Sequence, residues 1–253
     1  MGISSAPLPI SVCILVKDEE ANLPRCLAPL HPFAEVLVCD TGSRDRSVEI
    51  ARSAGARILT QVWQGFSETR RAHFSAATQP WILWLDADEV LLPELVLSIA
   101  QAVGSPGSAL GFRLNRQVIF NGQPIRHGDW FPDWNLRLFR ASHWHMEARL
   151  VHESVKVPGP TPKLSGLALH YSFRDLSDLH QRSLRYAKLW AEMVHQQGRS
   201  VGPLAPYSRA IWKWFRGYIL KRGFLDRRLG FQIANANASE VYRKYQGLRQ
   251  LQR

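Results

Sequence analysis

Strand-like and helix-like segments alternate strictly through the first hundred residues, and no other feature constrains the fold as much. "ISVCILV" (10–16), "AEVLVCD" (34–40), "ARILTQV" (56–62) and "WILWL" (81–85) are short, largely apolar runs of the kind that form buried strands. Between them lie helical patterns. "KDEEANLPRCLAPL" spaces Leu23, Leu27 and Leu30 for a helix, with Pro24 near its first turn. "SRDRSVEIARSAGA" reads as a helix with Ser43 or Asp45 as cap and Gly55 as stop. "GFSETRRAHFSAAT" and "LLPELVLSIAQAVG" follow the same period. Strand and helix in turn predict right-handed βαβ crossovers and a mainly parallel sheet, which binds ligands beyond the carboxyl ends of its strands.

The fourth strand ends in "LWLDADEV" (83–90), where Asp86, Asp88 and Glu89 repel one another. Two carboxylates one residue apart can reach one hard divalent cation, which removes the repulsion and is usually shared with substrate phosphates. Asp40 ends the second strand and falls on the same sheet edge. The placement points to a metal–diphosphate site rather than to acids that merely cap the next helix. For Glu89, both a capping role and a donor-facing role stay open.

The second half changes character. "ALGFRLNRQVIFNGQPI" alternates around Asn121-Gly122, a hairpin signal, and "NLRLFRASHWHMEARLVHESVKV" gives two more strand-like segments. From Asp175 the period is helical, with Leu176, Leu179, Ser183, Ala187, Ala191 and Val194 in one stripe and Gly198 as stop. Residues 206–253 hold 11 Lys+Arg against 2 Asp+Glu, so +9 of the net +11 charge sits in the last fifth of the chain. Such charge seeks an anionic partner. Cys13, Cys26 and Cys39 form no CxxC pair, and Cys13 and Cys39 sit in apolar runs, so they read as buried free thiols of a reducing compartment. No secretory signal, myristoylation pattern or apolar run of spanning length occurs, which predicts a cytoplasmic chain.

At this point the motifs carry a resemblance. "ISVCILVKDEEANLPRCL", "VLVCDTGSRDRSVEIA" and "AATQPWILWLDADEVLLPEL" resemble the nucleotide-sugar half of glycosyltransferase family 2. "HGDWFPDWNLRLFR", "LVHESV", "LHYSF" and "YILKRGFLD" are similar to a narrower subgroup, the bacterial enzymes that add glucose to the inner core of lipopolysaccharide. The resemblance implies an α/β GT-A fold, Rossmann-like with a mainly parallel central sheet, over residues 1–172. Its nucleotide-sugar half covers 10–104 and its acceptor half 105–172, with a helical basic extension over 173–253. It implies nucleotide contacts at Val16, Lys17, Glu19, Asp40, Arg70, Asp86 and Ala87, and Mg²⁺ or Mn²⁺ at Asp88 and Asp86. Asp18 stands where the family usually has Asn, and Arg71 where many members have Asn. It further implies an inverting transfer of a hexose, glucose from UDP-glucose, to a lipid-linked saccharide acceptor.

Inversion requires a general base at the acceptor hydroxyl. Asp133, which follows Pro132 among Trp130, Phe131 and Trp134, is the first candidate, and Glu153 in "VHES" the second. The aromatic neighbours offer faces for sugar rings. His170, after the apolar run of "LALHYSF", is the candidate to complete the metal site, with His152 behind it; His127 reads as lining the acceptor side. In "YSRAIWKWFRGYILK", Tyr207, Ile211, Trp214, Phe215, Tyr218 and Ile219 share one helical face and Arg209, Lys213 and Arg216 another. Two outcomes fit: a helix lying peripherally on an anionic membrane surface, with Trp212 and the basic edge meeting lipid, or an amphipathic helix packed on the domain. No helix-turn-helix, zinc or RNA-binding signature accompanies the charge, so nucleic acid is not an expected partner.

Overall fold

A computed structural model describes residues 6–147, 154–173 and 175–252. In chain order the elements are β1 (Leu8–Val16), α1 (Leu23–Leu27), β2 (Phe33–Asp40), α2 (Ser47–Ser53), β3 (Arg57–Thr60), α3 (Phe66–Ser75), β4 (Trp81–Asp86), β5 (Glu89–Leu91), α4 (Pro93–Gly104), β6 (Gly111–Phe120), β7 (Gln123–Pro124), β8 (Asp133–Arg140), β9 (His145–Glu147), β10 (Ser154–Lys156), β11 (Lys163–His170), α5 (Leu176–Gln196), α6 (Ala205–Phe215) and α7 (Arg227–Leu251). They fall into two compact units, Met1–Arg116 with Asp133–His170, and Gln117–Pro132 with Tyr171–Arg253.

In the first unit the sheet runs β3-β2-β1-β4-β8-β6-β11-β5. The pairs among β3, β2, β1 and β4 are parallel, as the βαβ pattern predicts, whereas β4–β8, β8–β6 and β11–β5 are antiparallel. The sheet is therefore mixed, its parallel half built by the first hundred residues. Register fixes the acids. Leu15 of β1 pairs with Cys39 on one side and Asp86 on the other, and Val16 pairs with Asp40. Asp40 and Asp86 thus flank the carboxyl end of β1. Alternation sends Val12, Ile14, Leu83 and Leu85 into one fully buried layer, and Cys13, Ile82 and Phe139 into the other, where Phe74 of α3 packs against them. A fully buried Leu or Ile contributes about 1.5–3 kcal/mol, so these two layers hold the carboxylates on a rigid frame.

Two helices begin later than their periodicity suggests. The segment after β1 is a loop up to Leu23, because Asp18 takes a left-handed φ of 55° and the amides of Glu19 and Glu20 donate to Ser47 Oγ and Asp45 Oδ2. Asp45 likewise accepts from Ser47 N at 2.9 Å, a turn that delays α2 to Ser47.

His73 of α3 is fully buried, and its Nε2 lies 3.0 Å from the Leu37 carbonyl. A carbonyl only accepts, so Nε2 carries a proton. Burial pushes its pKa down to about 4, although the bond to Leu37 opposes this. The unfolded chain therefore binds the extra proton first as pH falls. Stability should be lost between about pH 6.5 and 4, at roughly 1.4 kcal/mol per pH unit at most. Melting curves at pH 7.5 and 5 check this: His73→Gln should be less stable at neutral pH, yet show a smaller drop on acidification than the parent.

The second unit contains the Asn121-Gly122 hairpin, both residues at positive φ (48° and 71°), joining the end of β6 to β7. Its body is helical. Asp175 caps α5 by accepting from Asp178 N, and Leu179, Ser183, Ala187, Ala191 and Val194 are buried in a single stripe. Leu176, at the start of that stripe, is instead exposed. After α6 the chain makes a π-helical turn (Arg216–Leu220) and a 3-10 turn (Gly223–Asp226) before α7. A side chain at Gly230 would lie 1.8 Å from the Gly223 carbonyl, so only glycine lets α7 approach this turn. Three cations meet one buried carboxylate here: Lys213, Arg216 and Lys221 lie 2.9, 2.8 and 3.1 Å from Asp129.

Candidate active site

The acids at the end of β4 point to different partners. Asp86 accepts from Arg70 Nη2 and Trp84 Nε1, both at 3.1 Å, on one oxygen and from Arg137 Nη2 at 2.7 Å on the other. Arg70 reaches it from α3 and Arg137 from β8, and both guanidiniums lie over the Trp84 ring, 4.3 and 4.2 Å from its centroid. Burial works to raise the Asp86 carboxyl, but Arg137, then Arg70, outweigh it and hold the group far below the usual carboxylate range.

Glu89 is 1% exposed. It accepts the Asp86 amide at 3.1 Å and Arg116 Nη1 at 3.0 Å. Of its two possible roles, the structure gives neither a helix cap nor an open face: Glu89 is a buried counter-ion at the root of the acid turn. Arg116 continues the chain of charges, its Nε and Nη2 lying 2.8 and 2.7 Å from Asp133 Oδ2. Cross-strand register makes this contact, since Arg116 of β6 is directly opposite Asp133 of β8. Asn135 donates to the other Asp133 oxygen at 2.8 Å.

Asp88 turns elsewhere. Its Oδ2 lies 3.5 Å from His170 Nε2. The β11–β5 register puts His170 opposite Glu89, which brings the imidazole beside Asp88. Burial opposes charge on His170, but the Asp88 contact and the nearby Glu89 carboxylate prevail and raise its pKa. A neutral imidazole and a carboxylate oxygen are both good ligands for Mn²⁺ or Mg²⁺, and a cation would take the place of the proton between them. Among the described residues no group of three or more His, Cys, Asp and Glu side chains is arranged around one point. A pair of ligands suits a cation that completes its shell with substrate phosphate oxygens and water.

The remaining sequence candidates divide. Ala87 is buried between the two Asp residues, and Lys17 is exposed at the end of β1. The Val16 carbonyl accepts from Thr41 N at 3.1 Å. Asp40 is buried, with its oxygens met by Gly42 N and Ser43 N at 3.2 and 3.1 Å, so its carboxylate shapes the turn after β2. Glu19 accepts from Asn22 Nδ2 at 2.6 Å. Glu153 and His152 lie outside the described residues. Trp130 stacks on Phe173 at 5.2 Å and is not an open platform, and His127 Nδ1 meets Asp226 at 3.0 Å. Sequence inspection missed Arg116, Arg137 and Trp84. One signal was present: "LRLF" sets an arginine inside an apolar strand, where a buried cation requires a carboxylate.

Comparison with known proteins identifies the family. The family description "Glycosyl transferase family 2" matches residues 11–155. A TPR repeat-containing protein of Synechococcus elongatus is 42% identical over 125 residues, 49% of this chain and 31% of that protein, so the chain spans about a third of that relative. An uncharacterized glycosyltransferase of Rickettsia typhi is 26% identical over 88% of this chain and 80% of its own. The lipopolysaccharide core biosynthesis glycosyltransferase LpsC of Rhizobium meliloti is 24% identical over 94% and 93%. Among solved structures, glucosyl-3-phosphoglycerate synthase of Mycobacterium tuberculosis, with Mn²⁺, UDP and glucosyl-3-phosphoglycerate, matches with 23% identity over 47% of this chain and 46% of that one, at a TM-score of 0.34. The sheet with its acidic carboxyl edge and the match over more than half of the residues lead to one conclusion: the chain belongs to glycosyl transferase family 2, has the GT-A fold and is a glycosyltransferase.

Proposed function

We propose that this enzyme moves a hexose, with inversion at the sugar carbon, from a nucleoside diphosphate to a lipid-linked saccharide, using a divalent cation. The observation that carries the reading is the division of labour in "DAD": Asp86 is saturated by Arg70, Arg137 and Trp84, while Asp88 faces His170. UDP-glucose is the donor favoured by the sequence resemblance. The name of the Rhizobium meliloti relative supports a lipopolysaccharide inner-core acceptor. Buried free thiols at Cys13, Cys26 and Cys39 accord with work in the cytoplasm, peripheral to the inner face of its membrane.

Asp88 and His170 would hold Mg²⁺ or Mn²⁺, which neutralises charge on the departing diphosphate. Arg70 and Arg137 keep Asp86 ionised and its turn fixed, so Asp88 is presented in one geometry. Asp133 takes the proton of the acceptor hydroxyl. Its oxygens accept from Arg116 and Asn135 and keep further lone pairs for that proton.

A thermal-shift screen of UDP-glucose, UDP-galactose, GDP-mannose and an ADP-heptose, with and without Mn²⁺, tests the reading. UDP-glucose with Mn²⁺ is expected to stabilise the protein by about 2.7 kcal/mol at a hundredfold excess over Kd. EDTA should remove the effect. Absence of stabilisation by every nucleotide sugar, or indifference to EDTA, would refute it.

A further inference from the structure

The helical region around α6 separates into two faces. The inner face is packed: Trp214 donates to Asn235 at 2.8 Å and Tyr218 contacts Phe231, both partners lying on α7. Lys213 and Arg216, which the periodicity placed on a basic edge, are engaged by Asp129. The outer face is apolar and uncovered. Leu204, Ile211 and Trp212 are 74%, 69% and 57% exposed, and Phe215, Ile219 and Leu220 extend the same stripe. Residues 211, 212, 215 and 219 recur at helical spacing, so they share one side. Sequence periodicity alone grouped Ile211, Phe215 and Ile219 with Trp214 and Tyr218, because the segment is aromatic nearly all round.

Charge selects what covers this face. Residues 203–231 contain seven Lys or Arg and a single acid, Asp226, which is turned inward onto His127. Arg222, before the turn that follows α6, and Arg227 and Arg228, at the start of α7, are exposed. A second copy of the chain would bring the same positive charge to the contact. An anionic bilayer offers both complements, phosphate for the arginines and acyl chains for Trp212, Ile211 and Phe215. No helix among the described residues is long and apolar enough to cross a membrane. We infer that the outer face of α6 and the turn after it seats flat in the headgroup layer of an anionic phospholipid membrane. This goes beyond sugar transfer and is measured without donor or acceptor.

The test is co-sedimentation of the full chain with vesicles of phosphatidylcholine containing about one-third phosphatidylglycerol, against phosphatidylcholine alone, at low and high salt. Binding is expected only to the anionic vesicles and should weaken with salt. The triple variant Ile211→Ser, Trp212→Ser, Phe215→Ser should lose more than about tenfold in partitioning. Arg222→Gln and Arg228→Gln should each lose roughly fivefold and flatten the salt dependence. The substituted side chains are exposed, and an unchanged Tm confirms intact folding. Equal binding to both vesicle types, undiminished binding by the triple variant, or a concentration-dependent dimer that the triple variant breaks would overturn the inference.

Discussion

Asp88→Asn should lower sugar transfer by about 10³-fold, the size of effect expected when the charge holding a catalytic cation is lost. The amide keeps the shape of the side chain and one acceptor oxygen, so folding and the Asp86 network should be untouched. The loss should appear together with a higher Mn²⁺ requirement. Asp86→Asn makes the contrast. Its partners Arg70 and Arg137 are buried, at 8% and 5% exposure, and would lose the carboxylate that balances them. Stranding buried charge typically costs about 3–5 kcal/mol. Asp86→Asn should therefore lower Tm clearly, whereas Asp88→Asn should not. If Asp88→Asn kept full activity and unaltered metal dependence, the cation would have to be held elsewhere.

Asp133→Asn is the second large effect. A general base contributes roughly 10²–10⁴-fold, and the drop should fall on kcat, with donor binding preserved. The amide oxygen can still accept from Arg116, which keeps Glu89 as its counter-ion, and Asn135 can turn its own amide to accept from the new NH2 group, so the β6–β8 junction should survive. A purely structural Asp133 would give a different result: lower Tm, and activity restored when the variant is assayed at low temperature. Normal turnover by Asp133→Asn would move the base to Glu153.

The parallel half of the sheet was legible because strands buried on both faces leave uniform apolar runs, and because each βα segment is local in sequence. The order of the antiparallel half was not. It depends on β8 entering beside β4, and on β11 crossing to pair with β5, contacts between residues tens of positions apart. The site followed the same rule. Asp86 and Asp88 were visible as a motif, with His170 as the candidate to join them, but the arginines that hold Asp86 were not, since Arg137 arrives from a distant strand through register. Asp40 shows the opposite case. Its place at a strand end was correctly read, yet local amides claim its carboxylate, as the Asp-Thr-Gly-Ser turn chemistry allows.

Asp86, Glu89 and Asp133 share Arg70, Arg116 and Arg137 in one network: Asp86 lies within 4 Å of all three, Glu89 of Arg116 and Arg137, and Asp133 of Arg116, whereas Asp88 faces His170. Six positions from α3, β4, β5, β6 and β8 thereby share one charge balance. Neutralising one member unbalances the network without stripping any ion that has a second partner, so the cost should be largest where the partner has only one among the described residues, as for Asp133 on Arg116. Asp88 and His170 stand apart from that balance, so substitutions at this pair should alter the proposed cation site without disturbing the charge scaffold beneath it.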